Sequence, residues 1–213
     1  MIGRLPTNIM INGKEYDIET DYRNILLALV AFEDADLSDS EKLYILMRRV
    51  LRANLDLISN DELEYALIEV KKFINCGGNE GKKGISKKLI DWEQDETLIF
   101  SAINKIAGKE IRHIDYMHWW TFMGYFMEIE EGIFSTVLGI RQKRAKGKKL
   151  EKWEQEFYAN NKDMSLLYSV MTYTVRPQMS RNSHISMLNR SREPLRIVWL
   201  TSIRRSKIGR AHV

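Results

Sequence analysis

The chain has 213 residues, 44% of them apolar, enough for one domain with a real core. No window approaches the length of a membrane span, the N-terminus lacks the apolar run of a signal peptide, and a single cysteine, Cys76, excludes a disulfide framework, so a reducing cytoplasm is the expected compartment. The formal charge of +4 divides unevenly: from Met164 onward there are nine bases and one acid, which leaves 24 basic and 28 acidic residues in positions 1–163 and no case there for nucleic-acid binding from overall charge.

Leu5 to Thr20 is expected to form a β-hairpin. Ile9-Met10-Ile11 and Glu15-Tyr16-Asp17-Ile18 flank Asn12-Gly13, two residues that tolerate the positive φ of a two-residue turn. A lone hairpin is marginal in water, so it must pack on helices. Thr20 or Asp21 can cap a first helix with apolar residues Ile25, Leu26, Leu29, Val30 and Phe32, ended by Asp34 to Asp39. Ser38 or Ser40 starts a second, and Glu41 stands where a capping box with Ser38 needs it. A third begins at Asn60 with acids in its first turn, as the helix dipole prefers. Its apolar set is Leu63, Ala66, Leu67, Val70, Phe73 and Ile74, and Gly77-Gly78 stops it.

Asn79 to Lys88 is read as a solvated polar loop; its glycine spacing matches no nucleotide-binding motif. A fourth helix is expected from Trp92 to Ala107, ended by Gly108. Asp115 is expected to cap a fifth, running from Tyr116 to Met127 and apolar around most of its circumference, which places it centrally in a core. Phe134 to Arg141 is a short sixth helix and Lys143 to Lys149 a solvated basic connector. Leu150 to Asn161 is a charged amphipathic helix with Trp153, Phe157 and Tyr158 on one side.

Beyond Met164 the composition changes. Arginine outnumbers lysine eight to one there, against sixteen lysines to eight arginines before it, and helical periodicity stops. Ile208-Gly209-Arg210-Ala211-His212-Val213 looks like translated sequencing adapter. Residues 164–213 are therefore read as non-native sequence, frame-shifted or adapter-derived, or else as a disordered basic tail. The fold class expected is mainly α: one helical domain over 1–163 with a small N-terminal hairpin and an irregular C-terminal segment.

Candidate chemistry is sparse. His113, Asp115 and His118 have the residue types of a metal site, but their histidines are five apart rather than four, and a fourth ligand is lacking. Asp91, Glu93, Asp95 and Glu96 could be read as a carboxylate site, yet acids at a helix start are explained by the dipole. No catalytic, cofactor-binding or metal-binding residues are assigned, and the chain is not expected to be an enzyme. Trp92, His118, Trp119, Trp120 and Tyr125 are the candidate partner-binding residues, since Trp and Tyr dominate interface hot spots. The alternative is that such aromatics fill the core. Adjacent helical residues lie about 100° apart, so one of the paired tryptophans can point inward while the other borders a groove.

The stretches Asp91-Trp92-Glu93-Gln94-Asp95, Leu98-Ile99-Phe100-Ser101-Ala102 and Ile114-Asp115-Tyr116-Met117-His118-Trp119-Trp120-Thr121-Phe122 together resemble the phage gene-product-15 family. So do Leu5-Pro6, Ile11-Asn12-Gly13-Lys14-Glu15-Tyr16, Gly139-Ile140-Arg141 and Trp153-Glu154-Gln155-Glu156-Phe157-Tyr158, and the likeness covers roughly residues 5–163. The resemblance implies a protein of long-tailed phages and their prophages, encoded where tail assembly chaperones are encoded. It implies a non-catalytic chaperone that binds the tape-measure protein and tail-tube subunits in the host bacterial cytoplasm and is absent from the mature virion. The alternatives are a structural tail or neck component of the virion and, in a different class, a nucleic-acid-binding regulator.

Overall fold

The computed structural model describes residues 2–78 and 88–167. The readings of 79–87 as a solvated loop and of 168–213 as an irregular or non-native end concern residues outside these. The described chain is mainly helical, with eight helices and one two-stranded hairpin.

The hairpin pairs β1 (Asn8–Ile11) with β2 (Lys14–Asp17) antiparallel, Ile11 opposite Lys14. Asn12 and Gly13 form the turn with φ of 48° and 80°, the positive pair that lets the twist of a two-residue turn match the strands. Alternation buries Ile9, Ile11, Tyr16 and Ile18 and leaves Met10 outside. The buried side rests on α3 (Asn60–Ile74), the support that a marginal hairpin requires.

Caps set the first helices. In α1 (Tyr22–Glu33) the Asp21 carboxylate accepts the Arg23 N–H. Complete capping boxes open α2 (Asp39–Val50), from Ser38 with Glu41, and α3, from Ser59 with Glu62. The end of α3 is unusual: Cys76, a non-glycine residue, takes the left-handed position with φ 54°, and Gly77 follows at 79° while its N–H reaches back to Lys72 O at 2.8 Å.

Two later helices start further along the chain than periodicity alone predicts. α4 (Glu96–Ala107) begins four residues after Trp92, because the Asp91 carboxylate caps a separate turn by accepting the N–H groups of Glu93 and Gln94. α5 (Trp119–Met127) begins after His118 rather than at Asp115, because the preceding residues are drawn out alongside the α1 cap. Tyr22 N donates to Met117 O at 3.0 Å and Trp119 N to Thr20 O at 2.7 Å, which makes an isolated bridge between Asp21 and His118. α6 (Ile133–Ala145) runs past the expected end at Arg141 and takes in the start of the basic stretch. In α7 (Lys152–Asn160) the expected aromatic side is only partly inside: Trp153 is 58% exposed while Glu154 is buried. A four-residue α8 (Lys162–Ser165) follows.

Apart from Leu89, the buried apolar residues from Ile9 to Phe134 form one cluster contributed by the hairpin, α1 to α5 and the segments joining them, closed by the first turn of α6. Within it, Tyr22 stacks on Phe122 at 4.7 Å between centroids, and Trp119 on Phe122 at 5.6 Å. Full burial of side chains this large contributes about 2–3 kcal/mol each. Among the described residues no helix is long and apolar enough to cross a membrane.

Candidate functional site

The sequence Met117-His118-Trp119-Trp120 sits where three segments meet: the α1 cap, the end of α3 and the start of α5. His118 caps α5. Its Nδ1 accepts the Trp120 N–H at 3.0 Å, and its Nε2 lies 2.9 Å from the carbonyl oxygen of Pro6. With Nδ1 accepting, the bond to Pro6 O is made by the hydrogen on Nε2. The ring is 3% exposed, so both nitrogens are committed to backbone and neither is open to a metal. His113 is exposed on the 3-10 turn Ile111–His113, and Asp115 is exposed beyond it, so the three residue types do not converge.

The paired tryptophans divide the work of ending α3. A helix leaves its last carbonyls without partners. Trp119 donates its indole N–H to Ile74 O at 2.9 Å, and Trp120 donates to Phe73 O at 2.8 Å. Two consecutive indoles therefore meet two consecutive carbonyls, of which Phe73 O also accepts the Cys76 N–H at 3.0 Å. Trp119 is fully buried; Trp120 is half-buried, stacked beside Phe73 with its ring edge over Gly77. Phe73 also meets His118 edge-on at 5.9 Å. Gly77 has a positive φ of 79°, which is why glycine stands there; a Cβ would make only ordinary contact with Trp120 at 3.5 Å. Neighbouring Cys76 is packed against the core, and burial pushes its thiol up to about 12, so it stays a protonated, inert packing group at neutral pH.

α5 has two unlike sides. Trp119, Phe122, Met123 and Phe126 face inward. The outer side carries Trp120, Gly124 and Met127 in one row, flanked by half-buried Thr121 and Tyr125. Met127 is 45% exposed, and a Cβ at Gly124 would meet nothing within 4 Å, so the helix backbone is open to close approach at that point. Of the five candidate residues, His118, Trp119 and Trp120 gather at the start of α5, and Tyr125 lies further along its half-exposed side. Trp92 is apart and buried, its ring 5.5 Å from Phe126.

A second polar centre lies beneath the 88–95 turn. Arg141 binds Asp95 through two parallel contacts of 2.6 and 2.9 Å, with both side chains under 5% exposed. The same guanidinium donates to Leu89 O at 3.1 Å and Met164 O at 2.6 Å, and Asp95 accepts the Asp91 N–H. Gln94 reaches the carbonyls of Asp163 and Leu166. Lys143 and Glu154 form a further pair at 2.7 Å. Sequence reasoning explains the acids at 91–96 by the helix dipole and misses this partner 46 residues away; nothing in local spacing could have pointed to it.

On the other side of that turn, Glu33 accepts the Trp92 N–H at 3.0 Å, with Lys88 Nζ 3.6 Å away. Burial pushes the Glu33 carboxyl up to about 7, against the pull of Lys88. Asp91 shares Lys88: burial raises its carboxyl, but the Lys88 ammonium and the Gln94 and Glu93 N–H groups outweigh it and hold it below its ordinary value. These carboxylates are thus tied to backbone or to a cation within the fold.

Residues 1–167 match the sequence model of a family described as Bacteriophage Gp15 protein. No curated protein and no solved structure matches the chain.

Proposed function

The chain belongs to the bacteriophage Gp15 protein family, and from that premise we propose that it is a non-catalytic tail-assembly chaperone for the tape-measure protein. The observation that carries the reading is the outer side of α5. Trp120, Gly124 and Met127 make a shallow apolar row whose middle is bare backbone, a shape that receives the apolar stripe of an extended helix. Rigid neighbours hold the row in place, since Trp120 is fixed by its bond to Phe73 O and by Gly77 beneath it. A preformed row of this kind shields a long, aggregation-prone helix without chemistry and releases it when tail-tube subunits take over its surface. The commitment of both His118 nitrogens to backbone, and of Asp95 to Arg141, supports a role without catalysis.

Co-expression of the full chain with a helical fragment of the tape-measure protein tests this. The fragment is expected to stay soluble with the wild-type chain and to precipitate with Gly124→Arg, which fills the bare position. Equal solubility of the fragment with and without the chain overturns the reading. The same proposal places the protein in the host cytoplasm and outside the finished particle, so its peptides are expected to be missing from purified virions. Their presence at tail stoichiometry favours a structural tail component instead.

A further inference from the structure

α1 carries no charge from Asn24 to Phe32, and eight of those nine residues are apolar, the pattern of a helix enclosed on all sides. Yet its burial is one-sided. Tyr22, Ile25, Ala28 and Leu29 face the core, while Leu27 is 52% exposed and Ala31 half-buried on the opposite side. α2 packs against α1, with Arg49 Nη1 3.4 Å from Asn24 Oδ1, so the end of one helix lies beside the start of the other and the two run antiparallel. Helical spacing then sets the row Asn24, Leu27, Ala31, Asp34 on α1 beside the row Arg49, Ile45 and Glu41 on α2.

The two ends of this face carry opposite charge. At one end stand Arg48 and Arg49, both exposed, beside the internally paired Arg23–Asp21 and Arg52–Glu19; at the other stand Asp34, Asp36, Asp39 and Glu41, with Lys42 among them and Lys88 paired to neighbouring Glu33. An apolar middle with a basic end and an acidic end is complementary to itself when turned over by a two-fold axis. The basic end of each copy then meets the acidic end of the other. We propose that this α1–α2 face joins two copies of the chain in an isologous dimer centred on Leu27, Ala31 and Ile45. The face uses none of the α5 residues above, so it stands or falls separately from the chaperone reading. Two helices of twelve residues, each about 18 Å long and about 10 Å across, give a patch below the size of standard stable interfaces, so the dimer is weak and salt-sensitive.

Sedimentation velocity of the full chain from about 1 to about 100 µM brackets the micromolar dissociation that such a patch supports. The wild type is expected to pass from monomer to dimer across that range and to shift toward monomer in high salt. The double variants R48E/R49E and D36K/D39K, each alone, repel themselves at both ends and are expected to stay monomeric while keeping the wild-type circular dichroism. Mixed in equal amounts they attract at both ends, and the dimer is expected to return. Leu27→Glu, a change at an exposed position, removes it without touching either charged end. A wild type that stays monomeric throughout overturns the proposal, as does a dimer that survives both charge reversals or a mixture that fails to restore it.

Discussion

From the hairpin to the start of α6, the buried residues make one continuous apolar cluster in which aromatic rings stack and indoles finish a helix end. From α6 to α8 the attachment changes character. Val137 and Ile140 are buried, but buried and partly buried ionic or charge-assisted bonds now join the apolar contacts: Arg141 to Asp95, Leu89 O and Met164 O, and Lys143 to Glu154, with the neutral Gln94 amide reaching Asp163 O and Leu166 O beside them. The contrast concerns failure more than strength. An apolar cluster loses contacts a few at a time, whereas a buried ion pair that loses one partner leaves a charge stranded away from water.

The sharpest way to break this contrast is Arg141→Ala. It strands Asp95 at 1% exposure and frees Leu89 O and Met164 O together, so urea unfolding is expected to show a loss of about 3–5 kcal/mol. Hydrogen exchange should quicken first at the amides of Ser165 and Leu166, which lie next to the released carbonyl. Replacing both partners, Asp95→Leu with Arg141→Met, is expected to recover part of the loss: no charge is then left buried, but Leu89 O, Met164 O and the Asp91 N–H still lose a partner. A double variant no better than the single would assign the loss to those backbone groups rather than to the stranded charge.

Next in size is Trp119→Phe, on the apolar side of the comparison. It removes the donor to Ile74 O and leaves a gap beside Phe122, and about 2–3 kcal/mol of destabilisation is expected. Trp120→Phe loses the bond to Phe73 O, but that carbonyl also accepts the Cys76 N–H and is not left without a donor, so about 0.5–1 kcal/mol is expected. Thermal melts of the two variants side by side check the order. Equal losses would mean that the inward and outward indoles do the same work.

Much of this was legible along the chain. Asn12-Gly13 specified the turn, Ser38 and Glu41 the capping box, Asn60 the start of α3 and Gly108 the end of α4, because each signal is local and acts within a few residues. Starts that depend on distant partners were not legible. Asp115 is a good cap by type, yet the chain from Ile114 to Met117 is held out of helix: the Arg23 guanidinium donates to the carbonyls of Ile114 and Asp115, and Met117 O accepts the Tyr22 N–H. The helix therefore waits for His118. Trp153 failed for a similar reason, since the salt bridge from Lys143 turns Glu154 inward and carries its neighbour out to water. At the candidate site, the tryptophan pair was legible as important; that it finishes another helix required knowing which helix end lies opposite.

Glu33, across the 88–95 turn from Arg141, gives a smaller, pH-dependent test. Its carboxyl is raised to about 7 in the fold from an ordinary value of 4.5, so between those values the native state holds a proton that the unfolded chain has lost. The contribution is therefore fully present below about 4.5 and is lost as pH rises through about 7. Glu33→Gln stays neutral throughout and keeps an oxygen for the Trp92 N–H. The variant is expected to match the wild type at pH 4 and to exceed it by about 1–2 kcal/mol at pH 8, a figure kept low because Lys88 and nearby solvent offset part of the burial. A gap that does not change across that window would place the strain elsewhere.

The smallest expected effect asks whether the outer side of α5 is shaped for stability or for a partner. Glycine in the middle of a helix costs about 0.5–1 kcal/mol relative to alanine, through the freedom it gives the unfolded chain. Gly77, beyond the end of α3, has a structural reason in its positive φ. At Gly124 the fold offers none: the position is helical and a Cβ would touch nothing within 4 Å. Gly124→Ala is therefore expected to stabilise the isolated protein by about 0.5–1 kcal/mol in thermal melts. If a partner helix approaches the backbone there, the same methyl group should weaken its retention in a pull-down, and Gly124→Ser should fall between the two. Stabilisation with undiminished retention would move the docking site off α5, whereas stabilisation with weakened retention would mean that the glycine is held against the interest of the fold.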